Sequence, residues 1–382
     1  MSKHIVRNIH LLILLLLLPM SVVSRNIISP QVNNDSSVTF RYFSPSAQRV
    51  FIESDCLLKH EDNSWFGGKM RKKKMTKDDS GVWTLTTSPL TPEVYNYRIE
   101  EDGNKKEDPL NKDSIWILLH KESVVAVGGN KQADLYVERK DIPHGRIDTL
   151  DYFNEEQQKT RKVLVYVPPT RENEPLPVLY LLHGISGDET SWFECGRVSH
   201  ILDNMLAEGS IRPMLVVMPD CNVPSKIDPK HRTNMFRNIF NYPALQKCDF
   251  EKAFPDLHNF ISKKYNISDS RLKHAIAGLS SGSKQAANIV RDNPEIFATI
   301  GLFSPVVKKK QLPNYDNRHP SYYHIYVGKN DLFYNNGKHF CQELDSLGIP
   351  NHLYETSGGH TWQQWRIYLT ELLFVLFPDE AN

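Results

Sequence analysis

Three residues far apart in the chain have the types and settings of a nucleophile, its base and a carboxylate. Ser280 is centred in Gly278-Leu279-Ser280-Ser281-Gly282, two residues from a glycine on either side. An apolar run, Ala275 to Ala277, precedes it, and a helix-permissive stretch, Lys284 to Arg291, follows. Strand, tight turn and helix in that order lift a serine Oγ onto an exposed apex, where a Cβ on a flanking residue would collide. A serine hydroxyl is a poor nucleophile at neutral pH and needs a base within hydrogen-bond reach. His360, in Ser357-Gly358-Gly359-His360-Thr361-Trp362, is the best candidate, because it lies on a glycine-rich loop rather than in an apolar run. The base needs a carboxylate to fix its tautomer. Asp331 follows the apolar run Ile325 to Gly328 through Lys329 and Asn330; Asp345, in a helix pattern, and Glu355, in a strand pattern, are weaker candidates.

These side chains need a scaffold that brings three loops to one rim. From residue 141 onward strand and helix signals alternate. Runs at Val163–Pro168, Val178–Gly184, Met214–Pro219, Ala298–Ser304, Tyr323–Gly328 and His352–Thr356 read as strands. Val198–Leu206, Phe250–Ile261, Gly337–Leu347 and Trp362–Phe377 have helical spacing. Continuous apolar strands between amphipathic helices predict a mainly parallel sheet covered on both faces. Ligands of such sheets bind at the C-terminal strand ends, where all three candidates fall. The order Ser280, Asp331, His360 is the chain order of α/β-hydrolases. The oxyanion formed on attack needs backbone donors, each worth about 2.7–4 kcal/mol. Ser281 N–H is one; the loop after Leu181-Leu182-His183-Gly184 supplies the other, assigned to Ile185. His183 reads as structural, since no second ligand stands at metal spacing.

Residues 25–140 have a different pattern. Strands at Ser37–Phe43, Arg49–Ser54, Gly81–Thr87 and Tyr95–Glu100 are split by turn signals such as Asp79-Ser80-Gly81, which predicts a small β-sandwich. Ala133–Glu138 closes this unit, and Lys140–Arg146, with Pro143 and Gly145, reads as the connector. The basic run Arg71–Lys74 reads as a solvated hairpin.

The 382 residues suit two domains, and 46 basic against 45 acidic side chains give no reason to expect a nucleic-acid or membrane-surface partner. Residues 1–24 read as a cleaved signal peptide. Lys3 and Arg7 precede the run Leu11–Leu18, which is too short to span a bilayer, and Val22-Val23-Ser24 offers a cleavage site. Export to the periplasm or medium, without stable membrane insertion, is the expectation. The five cysteines show no metal-ligand spacing; Cys221 and Cys248 bracket one loop region and are a candidate disulfide.

Several of these segments are similar to one family. Tyr180–Trp192, Gly196-Arg197, Asp203-Asn204, Gly278–Gly282 and Gly359–Arg366 resemble the esterase D/feruloyl esterase family, carbohydrate esterase family 1, over about 240 residues. Val38–Arg41, Ser44–Ala47, Gly81–Trp83, Tyr95 with Tyr97, and Asp108-Pro109 resemble an E-set, immunoglobulin-like domain of carbohydrate-binding-module family 48. The resemblance implies an α/β-hydrolase fold behind an all-β domain. It also implies nucleophile Ser280, base His360, acid Asp331 and oxyanion donors Ile185 and Ser281, with no metal or cofactor. Trp192 and Trp362 are candidate walls of an acyl pocket. The implied activity is hydrolysis of feruloyl or acetyl esters on acylated plant polysaccharide such as xylan. Siderophore trilactone hydrolysis or acyl transfer on the same fold, and an inactive glycan-binding protein, are the alternatives. Two departures stand out: Ser281 replaces the family's usual methionine, and Ser283 replaces a glycine. Residues 221–248 match nothing in the family and are expected to loop over the site.

Overall fold

In the computed structural model the described residues are 27–57, 70–117, 120–156, 158–169, 174–185, 187–221, 250–312 and 321–378. The signal-peptide segment, Cys248 with its candidate disulfide, and nearly all of the 221–248 loop lie outside them.

The N-terminal part is all β. One sheet has the order β1 (Gln31–Val32), β2 (Val38–Phe43), β6 (Val82–Thr86), β5 (Thr76–Lys77). A second runs β4 (Arg71–Lys74), β3 (Val50–Ser54), β7 (Glu93–Glu101), β10 (His120–Val127), β9 (Ser114–Ile117), with β8 (Asn104–Lys106) also on β7. Alternate residues point inward, as a two-layer sandwich requires. Val38 and Phe40 from one sheet meet Ile52, Tyr97 and Ile99 from the other in a shared apolar cluster. The basic run Arg71–Lys74 is a fully exposed edge strand, with Glu53 opposite Lys72 in register. Lysines on an edge discourage strand addition by another chain.

The C-terminal part is an eight-stranded sheet. Its order is β11 (Arg146–Asn154), β12 (Lys159–Val167), β14 (Leu215–Pro219), β13 (Val178–Leu182), β15 (His274–Leu279), β16 (Thr299–Phe303), β17 (Tyr322–Gly328), β18 (Asn351–Thr356). The β11–β12 and β12–β14 pairings are antiparallel; the remainder are parallel. Every residue of β13, β14 and β15 is buried, as expected of strands covered on both faces. The helices are α1 (Lys131–Asp134), α2 (Ser191–Glu194), α3 (Val198–Ala207), α4 (Phe250–Lys264), α5 (Ser281–Asp292), α6 (Tyr334–Ser346) and α7 (Trp362–Val375). No helix among the described residues is long and apolar enough to cross a membrane.

The two parts share a core. Ile115 and Val124 of the sandwich join Leu135, Tyr136, Val198 and Trp192 in one apolar cluster. Polar anchors surround it. Arg366 of α7 donates to Cys195 O and to Glu93 Oε1, each at 2.8 Å. Arg197 donates to Asp113 Oδ2 at 2.6 Å. Asn204 Nδ2 donates to Leu135 O at 3.0 Å and Val137 O at 2.9 Å. The connector is pinned by a buried carboxylate: Asp203 accepts from Tyr166 Oη at 2.7 Å and from Gly145 N–H at 2.9 Å. Gly145 is needed there, because a Cβ would lie 2.3 Å from the Tyr166 ring.

Candidate active site

The turn between β15 and α5 is a strained elbow. Ser280 has φ 51° and ψ −118°, a backbone region costly for any residue with a Cβ. Its N–H donates to Phe303 O on the neighbouring strand at 2.9 Å. The two flanking glycines make the turn possible. A Cβ on Gly278 would stand 2.4 Å from the Gly282 carbonyl, and one on Gly282 would stand 2.3 Å from His183 O. Both obstacles are backbone and cannot rotate away. We therefore expect Gly282→Ala to push α5 off the end of β13. The cost should be about 1–3 kcal/mol of stability, as for an overpacked core, with slower turnover because the two loops meant to hold an oxyanion separate. Urea unfolding and kcat on one ester measure both.

Ser283, the departure noted in the sequence, has a use here. Its hydroxyl donates to Ser280 O at 2.5 Å and accepts from Val306 N–H at 3.0 Å. A glycine at this position would leave both groups without that tie. The serine thus fastens the elbow to the loop that follows β16.

The three candidate side chains converge. His360 Nε2 lies 3.1 Å from Ser280 Oγ. His360 Nδ1 lies 3.1 Å from Asp331 Oδ2 and 3.2 Å from Oδ1. All three are buried to within 9% of full cover. The loops carrying acid and base are stitched together: Lys329 N–H donates to Thr356 O at 2.8 Å and Asn330 N–H to Gly358 O at 3.1 Å. Asp345 and Glu355 go elsewhere, to Asn351 Nδ2 and to the Tyr334 hydroxyl. Burial alone would raise the Asp331 pKa. The hydrogen bond and charge of His360, then the hydroxyl of Ser304 and the N–H of Phe333, outweigh it and hold the carboxyl below its ordinary value. With Asp331 ionised, Nδ1 carries the imidazole proton and Nε2 is left to accept from Ser280.

Of the two N–H groups expected to face the oxyanion, that of Ser281 adjoins the serine in the chain. Ser281 is the first residue of α5, and the first N–H groups of a helix have no intrahelical acceptor. Ile185 follows Gly184, whose Cβ position would lie 3.4 Å from Ser280 Cβ. His183 is 2% exposed and built into the frame, with Nδ1 2.7 Å from Gly184 O and Nε2 accepting from Cys221 N–H at 3.0 Å.

The aromatic candidates divide. Trp192 is 1% exposed, with Nε1 donating to Leu182 O at 3.0 Å, so it packs rather than faces an open pocket. Its ring meets Trp362 edge-on at 5.3 Å, and Trp362, less deeply covered, carries the surface on that side. Sequence reasoning missed two further rings. Trp365 stands 4.9 Å from the His360 ring at 89°, and Phe333 5.2 Å from it at 65°. Trp365 lies three residues after Trp362 on α7, a spacing that puts both on one helical face.

A buried serine, imidazole and carboxylate in register at the C-terminal rim of a mainly parallel sheet define a serine-hydrolase arrangement. Comparison with known proteins is more particular. Residues 155–323 match the putative esterase family model, and residues 28–113 match carbohydrate-binding module 48, the isoamylase N-terminal domain. The chain thus carries an esterase-family α/β-hydrolase domain behind a separate all-β domain of that module type. It is 31% identical over 286 residues to an endo-1,4-beta-xylanase/feruloyl esterase of Xylanibacter ruminicola, an alignment covering 72% of this chain and 36% of that protein's length. A ferulic acid esterase of the anaerobic fungus Anaeromyces mucronatus superposes with a TM-score of 0.51 at 18% identity, over 64% of this chain and 95% of that one. The enterobactin esterase of Shigella flexneri gives 0.57 at 18% identity, over 89% and 92%. The second of these matches spans both parts of the fold.

Proposed function

We propose that the protein is an exported serine carboxylic ester hydrolase that removes acyl groups, feruloyl first, from plant cell-wall polysaccharide. The observation that carries this reading is the unbroken chain Ser280 Oγ to His360 Nε2, His360 Nδ1 to Asp331. Similarity to the Xylanibacter ruminicola endo-1,4-beta-xylanase/feruloyl esterase supports the feruloyl choice, and the short charged-then-apolar N-terminus supports export.

The steps follow from this reading. Ser280 Oγ attacks the ester carbonyl while its proton passes to His360 Nε2. Asp331 holds the ring so that Nε2 faces the serine, and its charge stabilises the imidazolium. The carbonyl oxygen, now negative, lies between the N–H groups of Ile185 and Ser281. Collapse expels the sugar hydroxyl, which takes the proton back from Nε2. Water then attacks the carbonyl of the acyl-Ser280 ester as its proton passes to the same nitrogen; the bond to Oγ breaks, Oγ takes that proton back, and the acid leaves. Trp362 forms one wall against the acyl group, with Trp192 behind it.

The test is turnover of methyl ferulate, p-nitrophenyl acetate and a trilactone siderophore by the purified chain, with mass spectrometry after a fluorophosphonate. Ferulate release and a label on Ser280 are expected. Preference for the trilactone would move the assignment to siderophore hydrolysis. Glycan binding with neither turnover nor label would mean an inactive binding protein.

A further inference from the structure

His360 serves two steps in succession, and its restraint differs between them. In the free enzyme both ring nitrogens are engaged, Nε2 at 3.1 Å from Ser280 Oγ and Nδ1 at 3.1 Å from Asp331 Oδ2. Acylation turns Oγ into an ester oxygen without a proton, while the neutral Nε2 can only accept. The hydrogen bond between them is then lost, at the stage when Nε2 must receive a proton from water. From that point contacts to the body of the ring must carry more of its orientation.

Two separate elements supply such contacts. The Trp365 ring, on α7, stands 4.9 Å from the imidazole at 89°. The Phe333 ring, just before α6, stands 5.2 Å from it at 65°. Edge-to-face packing of this kind has a preferred geometry, so it resists tilting of the ring. Both aromatics are themselves held. Trp365 is buried, its indole N–H donates to Ser304 Oγ at 2.9 Å, and its ring meets Trp362 at 5.1 Å and 87°. Ser304 is a firm anchor: it is wholly buried, has φ 47°, and its N–H donates to Tyr326 O at 2.8 Å. A non-glycine residue with positive φ persists only where its surroundings over-determine it. Phe333 N–H donates to Asp331 Oδ1 at 2.8 Å, and its carbonyl accepts from Gly337 N–H at 3.1 Å.

We propose that Trp365 and Phe333 are positioning residues for deacylation: anchored through Ser304 and α6, their rings keep the His360 imidazole aimed once Ser280 has been acylated. The inference rests on the triad reading. It assigns the two aromatics to the second half of the reaction, because in the first half Ser280 Oγ still holds Nε2.

The test follows p-nitrophenyl acetate by stopped flow in the full chain, with acid-quenched samples digested and weighed to give the share of Ser280 that is acetylated. Trp365→Leu should slow loss of the acetyl group roughly three- to tenfold, the worth of one aromatic pair, with acetylation little changed. Acetyl-enzyme should accumulate, and kcat and KM should fall together, leaving kcat/KM near its wild-type value. Phe333→Leu, on the other element, should show the same split and decides the matter should Trp365→Leu fold poorly. Trp365→Phe keeps a ring but loses the N–H, so it should recover part of the loss. Ser304→Gly accepts φ 47° without strain and should behave like Trp365→Phe; the two combined should add little, because they remove one hydrogen bond between them. A merely loosened fold slows both steps alike. Equal falls in acetylation and deacetylation, or wild-type rates of both in the two leucine variants, overturn the proposal. Acetyl found on Ser280 with unaltered deacetylation means that the positioning role alone fails; turnover without acetyl on Ser280 in any variant means that the triad reading fails first.

Discussion

Ser280→Ala is expected to lower kcat on a feruloyl or acetyl ester by on the order of 10⁴- to 10⁶-fold, the range seen when a triad nucleophile is removed. The variant should remain folded. Its backbone keeps the same strained φ, and among the described residues the hydroxyl's hydrogen bond is to His360. His360→Ala should cost about as much. The double variant should be no slower than either, because a nucleophile without its base and a base without its nucleophile are equally idle. Residual activity then reports what the Ile185 and Ser281 N–H groups and the acyl pocket do alone. A circular-dichroism melt beside each rate separates lost chemistry from lost fold. Ester turnover by Ser280→Ala within tenfold of wild type would remove the serine from the mechanism.

How far this site can be read from the chain depends on the range of the interactions concerned. The elbow is legible because part of its constraint is local: Gly278 is required by the Gly282 carbonyl four residues on, and the apolar run before it is a strand buried on both faces, whereas Gly282 is required by the carbonyl of His183 on a distant loop. His360 and Asp331 follow from chain order and from the rule that ligands gather at C-terminal strand ends. Ser304 could not be found that way. Its side-chain partner is the indole of a tryptophan 61 residues later, and a serine closing an apolar strand carries no pattern of its own. Trp192 shows the reverse error: an aromatic next to a glycine-rich loop invites a pocket role, whereas its indole is consumed by Leu182 O. Periodicity also cannot say which core a buried residue joins. Leu135 and Tyr136, in the run that closes the first domain in the sequence, pack against α3 of the second part. Arg71–Lys74 lacks strand propensity, yet it pairs with β3 because Lys72 finds Glu100 on β7; tertiary pairing overrides propensity in sheets.

The largest stability effect is expected at the junction of the two parts, from Arg366→Ala. Arg366 is 3% exposed, and its guanidinium bridges Glu93 on the sandwich and the Cys195 carbonyl beyond α2, over the ring of Tyr136. Replacing such a pair with well-packed apolar groups can be harmless, but removing one member leaves the other charge buried and alone, at about 3–5 kcal/mol. Glu93 keeps 16% of its side-chain surface, so water can reach it and the lower end of that range applies. Arg366→Ala/Glu93→Ala should therefore lose less than the sum of the single variants, since no orphan charge remains. Arg366→Lys should recover only part of the loss, because an ammonium cannot span two acceptors held apart by a planar fork. The effect reaches the chemistry through α7, which carries Arg366 one residue from Trp365 and hence from His360. A loosened helix should lower kcat by a modest factor even at temperatures where the variant is folded. Urea unfolding followed by tryptophan fluorescence, with kcat below the transition, measures both. A loss under about 1 kcal/mol, the level of an exposed ion pair, would show that the apolar cluster of Ile115, Val124 and Tyr136 joins the two parts by itself.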